Sequence, residues 1–347
     1  MDNLLDYSYE ELENLVVQMG EKKFRTTQLY TALQNYKNET EITNLPKSFL
    51  QNLRQKYEFC PLQIYQKYES RDGTIKYIYK LNDGNIIEGV LMSYKYGNTI
   101  CVSTQVGCRM GCKFCASTLG GLVRNLSAGE ILAQVLCVNK DLGGLYNDRK
   151  ITNIVLMGSG EPLDNYDNVV KFLRLVSSEK GINISQRNIS LSTCGLVDKI
   201  DLLAQEDLQI TLTISLHAPN DYIRKPTMPI ANKYSIKELI SATKRYFNKT
   251  KRRVVFEYTL INNVNDTFEC ADELSNLLKG MSCHVNLIPL NEVKERDLKA
   301  TTRKRAYAFM DRLNSKNISA TVRRTMGEDI EGACGQLRAK ILKENKV

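Results

Sequence analysis

The chain reads as an α/β protein whose larger part is built from repeated strand–helix units. Three observations lead there. From residue 108 onward, short β-branched-rich runs alternate with amphipathic stretches of helical period, the pattern of a parallel sheet. Right-handed crossovers between such units curl the sheet into an open or closed barrel. The polar and glycine-bearing motifs fall just after the strand-like runs, at the strand ends where barrels place their chemistry.

Taken in order, residues 1–60 read as helices. Ser8 with Glu11 forms a capping box ahead of an apolar run. Residues 24–33 predict a second helix, and Pro46 opens a third with Phe49, Leu50 and Leu53 on one face. Residues 61–106 read as a strand meander with turns at Asp72-Gly73, at 82–85 and at 96–98. The strand 86–92 carries one acid, Glu88, and a mid-strand acid ordinarily faces solvent. Beyond it, strands are expected at 151–157, 188–192, 210–215, 253–260, 284–288 and 318–322. Between them, helices are expected at 127–139, with a Ser127/Glu130 capping box, and at 165–176, 197–204, 235–247, 267–278 and 302–313. Residues 340–347 read as a polar, frayed end.

Composition narrows the class. The 347 residues are 42% hydrophobic and 25% charged, the balance of a globular chain rather than a disordered one. No apolar run would span a bilayer, and residues 1–6 have neither the basic nor the apolar region of a secretory signal. Ten unevenly spaced cysteines in so long a chain argue against a disulfide scaffold and for a reducing cytoplasm. The net charge of +9 suits a polyanionic partner, and the basic run 244–253 has interleaved aromatics.

The chemistry centres on Cys108, Cys112 and Cys115, spaced C-x3-C-x2-C, with Cys101 seven residues upstream. Thiolates select zinc or iron–sulfur clusters. Structural zinc wants four ligands, but the chain has no second C-x2-C, and its two histidines, His217 and His284, lie far away. Three thiolates fit a [4Fe–4S] cluster with one iron left open. Gly158-Ser-Gly160-Glu161-Pro162 follows a strand and lets backbone approach a ligand closely. Ser192, Ser215-Leu216-His217 and Asn291 end later strands and offer hydroxyls, an imidazole and an amide. Cys334 lies among small residues, as on an accessible segment; the plainer reading is a buried free thiol.

The C-x3-C-x2-C loop, with Phe114 before its last cysteine, is the signature of the radical S-adenosylmethionine (SAM) enzymes. Together with Cys101-Val-Ser-Thr-Gln-Val-Gly-Cys108, Gly160-Glu-Pro-Leu163, Ser215-Leu-His-Ala-Pro219 and Ala333-Cys-Gly-Gln-Leu337, it resembles one branch of that superfamily, the RlmN and Cfr group of RNA adenine methyltransferases. The resemblance implies a partial (β/α)6 TIM-like barrel at 94–330. A helical accessory domain at 1–60, a β-strand extension at 61–93 and a C-terminal segment at 331–347 complete it. It implies a [4Fe–4S] cluster on Cys108, Cys112 and Cys115, and SAM held by Gly160, Glu161, Ser192, Ser215, Leu216, His217 and Asn291. Cys334 would carry the methyl group, Cys101 would release the product by forming a disulfide with Cys334, and Glu88 would accept a proton. The implied substrates are an adenine in 23S rRNA and one in a tRNA anticodon loop, methylated at C2. The Cfr-type alternative is C8 of the rRNA adenine. The implied partner is an electron donor such as flavodoxin or ferredoxin, and the implied state is a cytoplasmic monomer. A non-catalytic cluster-bearing RNA-binding protein is the reading from another class, and it leaves Cys334, Glu88 and the Gly-Glu-Pro turn without purpose.

Overall fold

The two ends of the first sixty residues are tied together by a short parallel pair, β1 (Asp2–Asn3) with β2 (Tyr57–Glu58). Between them lie α1 (Tyr9–Gln18), α2 (Phe24–Gln34) and α3 (Lys47–Arg54). The capping box opens α1: the Glu11 N–H donates to Ser8 Oγ at 3.1 Å, and the Ser8 N–H donates to the Glu11 carboxylate at 2.7 Å. Phe49, Leu50 and Leu53 are buried on α3. The computed structural model describes residues 1–337, so the polar end expected at 340–347 lies outside the described residues.

The meander comprises β3 (Leu62–Glu69), β4 (Ile75–Leu81), β5 (Ile86–Tyr94) and β6 (Gly97–Cys101), each antiparallel to the next. A small ribbon follows, β7 (Gln105–Gly107) with β8 (Leu122–Asn125). The repeating units then run α4 (Ala128–Asp141), β9 (Ile151–Leu156), α5 (Tyr166–Val176), β10 (Ile189–Thr193), α6 (Val197–Leu203) and β11 (Thr211–Ser215). They continue through α7 (Asp221–Thr227), α8 (Ile236–Thr250), β12 (Val254–Leu260), α9 (Phe268–Leu278), β13 (Cys283–Pro289), α10 (Arg303–Ser315) and β14 (Ala320–Val322).

One sheet holds ten of these strands, in the order β14-β13-β12-β11-β10-β9-β6-β5-β4-β3. β6 is antiparallel to β5 but parallel to β9, so the last strand of the meander is the first strand of the parallel part. The edge strands β3 and β14 do not pair, which leaves the barrel open. Alternation sorts the side chains of β5. Ile87 and Leu91 join a large cluster that runs from Leu4 to Ala320, under the helices. Val90 and Met92 join a small inner cluster with Cys101, Met326 and Leu337. Glu88 shares that inner face, and the solvent-facing expectation for it is overturned: it is 4% exposed. The inner face of a curled sheet is covered, so an acid there needs a buried partner.

Candidate active site

The cysteine loop is clamped at its base by β7 and β8. Gly107 has φ +75°, and a side chain there would run into the Gly121 carbonyl. The Cys108 N–H donates to that carbonyl at 2.9 Å, and the Lys113 N–H donates to the Thr227 carbonyl at 2.9 Å. The loop therefore closes against α7, and all three thiols line one cavity. That cavity is open to solvent, has about 860 Å³ of empty space including its mouth, and lies at the C-terminal ends of β9 to β13. Among the described residues no group of three or more His, Cys, Asp or Glu side chains is placed to hold a single metal ion. Burial pushes the Cys108 thiol up to about 12 and raises Cys112 and Cys115 as well.

Most of the other expected residues share this cavity. Gly160, with φ +107°, packs so close to Gln105 that a Cβ would sit 2.6 Å from the Gln105 Cβ. Glu161 lines the wall, but its carboxylate already accepts the Cys194 N–H at 2.7 Å and the Leu163 N–H at 3.0 Å. Burial raises its pKa above the usual carboxylate range. Ser192 Oγ lies 3.3 Å from Ser215 Oγ and donates to Glu257 at 3.2 Å. His217 Nδ1 accepts the Thr259 N–H at 2.9 Å, and burial drives its pKa down to about 3. The ring is thus neutral, with its proton on Nε2. Leu216 does not line the cavity. Its side chain belongs to the main core, and its N–H donates to the Glu257 carbonyl at 3.1 Å. Asn291 lines the wall and donates from Nδ2 to the Cys334 carbonyl at 3.0 Å.

Residues 327–337 strap across the inside of the sheet. The Asp329 carboxylate accepts Ser70 Oγ at 2.5 Å, and the Gly327 N–H donates to Asp72 at 3.0 Å. At the other end, the Gly335 carbonyl accepts the Ala116 N–H at 2.7 Å, and the Leu337 carbonyl accepts Ser117 Oγ at 2.8 Å. The accessible segment expected around Cys334 is therefore a docked one, and Cys334 is half-buried. It lines the cysteine-loop cavity and also a second cavity of about 540 Å³, whose wall includes Cys101. All ten cysteines are free thiols. Burial pushes Cys101 up to about 12, and the neighbouring Arg323 guanidinium opposes that rise.

Glu88 lines neither cavity. It sits two positions before Val90, which does line the Cys101 cavity, and it pairs with Lys76 at 3.2 Å. Lys76 also donates to the Glu331 carbonyl at 3.2 Å, linking the pair to the strap. Sequence reasoning missed Lys76, and it missed two further residues. Glu257 lines the cysteine-loop cavity and meets Arg323 at 3.4 Å; its signal was an acid within an apolar strand, as at Glu88. Arg224 is fully buried and donates to the carbonyls of Leu216, Cys194 and Ser215, gathering two strand ends. In the basic run 244–253, Tyr246 is core, Arg245 pairs with Asp201, and Arg252 and Arg253 donate to backbone carbonyls. Its interleaved aromatics do not face a polyanion together.

An open β/α sheet with three loop thiols at its mouth defines a radical SAM enzyme, and the profile of the Radical SAM superfamily matches residues 102–277. Residues 2–59 match the ribosomal RNA large subunit methyltransferase N-terminal domain. The chain is 53% identical to a probable dual-specificity RNA methyltransferase RlmN of Clostridium tetani, over 99% of this chain and 98% of that one. It is 54% identical to the protein of that name in Clostridium perfringens, with the same coverage. A crystal structure of a radical SAM methyltransferase from Sphaerobacter thermophilus superposes with a TM-score of 0.94 at 42% identity, covering 98% of this chain and all of that one. The chain belongs to the RlmN family of radical SAM RNA methyltransferases. Membership implies a [4Fe–4S] cluster and SAM. The donor set fits: three thiols border a cavity that also carries hydroxyls, an imidazole and an amide.

Proposed function

We propose that this enzyme methylates C2 of an adenine in 23S rRNA and of an adenine in a tRNA anticodon loop, with Cys334 carrying the methyl group. The observation that supports this most is the position of Cys334 on the wall between the two cavities. One side offers the three loop cysteines, and the other offers Cys101. A thiol that merely filled a core would need neither.

Cys108, Cys112 and Cys115 would hold a [4Fe–4S] cluster, which with SAM bound beside it would supply the one-electron chemistry that removes hydrogen from an S-methyl group. The chain's own residues do the rest. Gly160, Ser192, Ser215, His217 and Asn291 hold SAM, with Glu161 bracing the turn that carries Gly160. Cys334 takes a methyl group by displacement as its thiolate, releasing S-adenosylhomocysteine. The amidine carbon of adenine is electrophilic, so a methyl-derived radical adds there where direct displacement fails. Glu88 accepts the proton lost from that carbon, and Lys76 positions it. Cys101 attacks the Cys334 sulfur and forms a disulfide; the bond from that sulfur to the methylene breaks, the methylene takes up a proton to become the methyl group of the departing base, and the odd electron left by the addition passes to the electron-transfer partner. Flavodoxin or ferredoxin supplies one electron to start the radical step, accepts the odd one, and supplies the two that return the Cys101–Cys334 disulfide to thiols. RNA substrates of this kind fit an enzyme of the cytoplasm, and we take it to act as a monomer.

Nucleoside mass spectrometry tests the reading. Reconstituted enzyme is incubated anaerobically with SAM, a reductant and unmodified 23S rRNA or tRNA fragments. 2-Methyladenosine is expected from both RNAs; 8-methyladenosine would make this a C8 enzyme. The Cys334→Ala variant should form no methylated base while still cleaving SAM, and full product from it would remove the carrier role.

A further inference from the structure

We propose that Tyr94 and Tyr96 form a stacking platform for an unpaired RNA base next to the target adenine. The inference rests on the RNA-methylating reading above and adds where the flanking nucleotide goes.

One face of β5 presents Glu88, Val90, Met92 and Tyr94 in turn, and Cys101 faces the same side opposite Val90. Val90, Met92 and Tyr94 line the cavity shared by Cys101 and Cys334. Tyr94 pairs with Gly97, so Lys95 and Tyr96 form a two-residue hairpin turn directly beyond that wall. The Tyr94 and Tyr96 rings stack with centroids 4.9 Å apart and planes 7° from parallel. Tyr94 is half-buried, whereas Tyr96 is 70% exposed although Tyr94 covers one of its faces. Its outer face is therefore open to solvent.

A single exposed aromatic is ordinary. This one continues, ring on ring, a stack that begins in the cavity wall. Exposed cations flank it: Lys95 lies in the turn, and Arg324 lines the same cavity. A base drawn out of its stack to enter the cavity leaves a neighbour that has lost a stacking partner. An open tyrosine face replaces that partner without selecting the base, and cations beside it meet phosphate. Loss of such a stack weakens binding by about 5- to 100-fold.

The chain contains no tryptophan, so Tyr96→Trp creates a single indole reporter. The reconstituted variant is titrated with an RNA stem-loop carrying the target adenine. Indole quenching is expected, and it should vanish when the nucleotide on one side of that adenine is made abasic. A Phe268→Trp control on α9, outside both cavities, should not respond. Tyr96→Ala should raise the Kd for this RNA by about 5- to 100-fold without lowering the melting temperature, and Tyr96→Phe should restore it. Unchanged affinity in Tyr96→Ala, or quenching that survives both abasic substitutions, overturns the platform. If wild-type enzyme methylates no adenine in either RNA, the functional reading has failed and takes the platform with it.

Discussion

Lys76 and Glu88 sit on adjacent strands with side chains 7% and 5% exposed, 3.2 Å apart. Two charges sealed this well gain little net stability together, but removing one takes the opposite charge away from the buried other. Lys76→Met should therefore destabilise the protein, by at most about 3–5 kcal/mol, while Lys76→Met combined with Glu88→Gln should cost distinctly less than the summed singles. Urea unfolding of the four proteins measures this, and additive losses would mean the pair is not coupled. Glu88→Gln alone should stop methylation with SAM cleavage retained if Glu88 is the proton acceptor. His217 gives a pH signature of opposite origin. Its folded pKa is about 3 against 6.5 when unfolded. Below pH 6.5 the unfolded chain takes a proton that the folded chain refuses, so stability falls as pH drops from 6.5 toward 3. At pH 5 the loss from this one group is about 2 kcal/mol. Cluster-free His217→Gln should lose that much less than wild type between pH 7.5 and 5 in chemical unfolding, and equal losses would mean the imidazole is not buried neutral.

The strap from Gly327 to Leu337 shows how an element with little regular structure is held in register. Gly335 has φ +83°, and a Cβ there would meet the Phe114 carbonyl at 3.1 Å. A left-handed conformation costs an L-residue about 1–2 kcal/mol, and here the side chain would also push the strap off the cysteine loop. Gly335→Ala should cut methylation at least tenfold while the reconstituted iron content stays the same. Lost iron would instead show that the strap is needed to build the cysteine loop. This strap also marks where sequence legibility stopped. The repeating strands and helices were readable, because each is a local pattern, and some helices carry their own cap, as at Ser127 and Glu130. The three-cysteine loop was readable because its spacing is local too. The anchors of the strap pair residues more than 200 positions apart, Asp329 with Ser70 and Leu337 with Ser117, and no local pattern announces them. The Lys76 partner of Glu88 was hidden likewise: whether a mid-strand acid is buried depends on which face the curled sheet covers. β6 looked like meander because the strand before it is antiparallel, and its parallel partner β9 begins fifty residues later.

At the scale of the whole molecule, the helical first sixty residues and the barrel share one apolar cluster, with Leu4, Leu12, Leu33 and Leu53 contiguous with Leu132, Ile154 and Leu191. Polar ties run alongside it. The Gly129 N–H at the start of α4 donates to Asp6 at 2.6 Å, Lys140 pairs with Glu41 at 2.7 Å, and the Ile182 N–H donates to Gln34 at 3.1 Å. α4 leads on from the ribbon that clamps the cysteine loop, and the first sixty residues cover part of it. Each large aliphatic side chain uncovered by removing those residues forfeits about 1.5–3 kcal/mol, and several would be uncovered at once, against a total domain stability of about 5–15 kcal/mol. Deletion of residues 1–60 should therefore leave a barrel that does not fold alone, even though residues 102–277 match the superfamily by themselves. The full chain should unfold in one transition, with tyrosine fluorescence and far-ultraviolet circular dichroism superimposing. A truncated chain that stayed soluble, melted cooperatively and took up its full iron complement would show that the first sixty residues cover the barrel without holding it together.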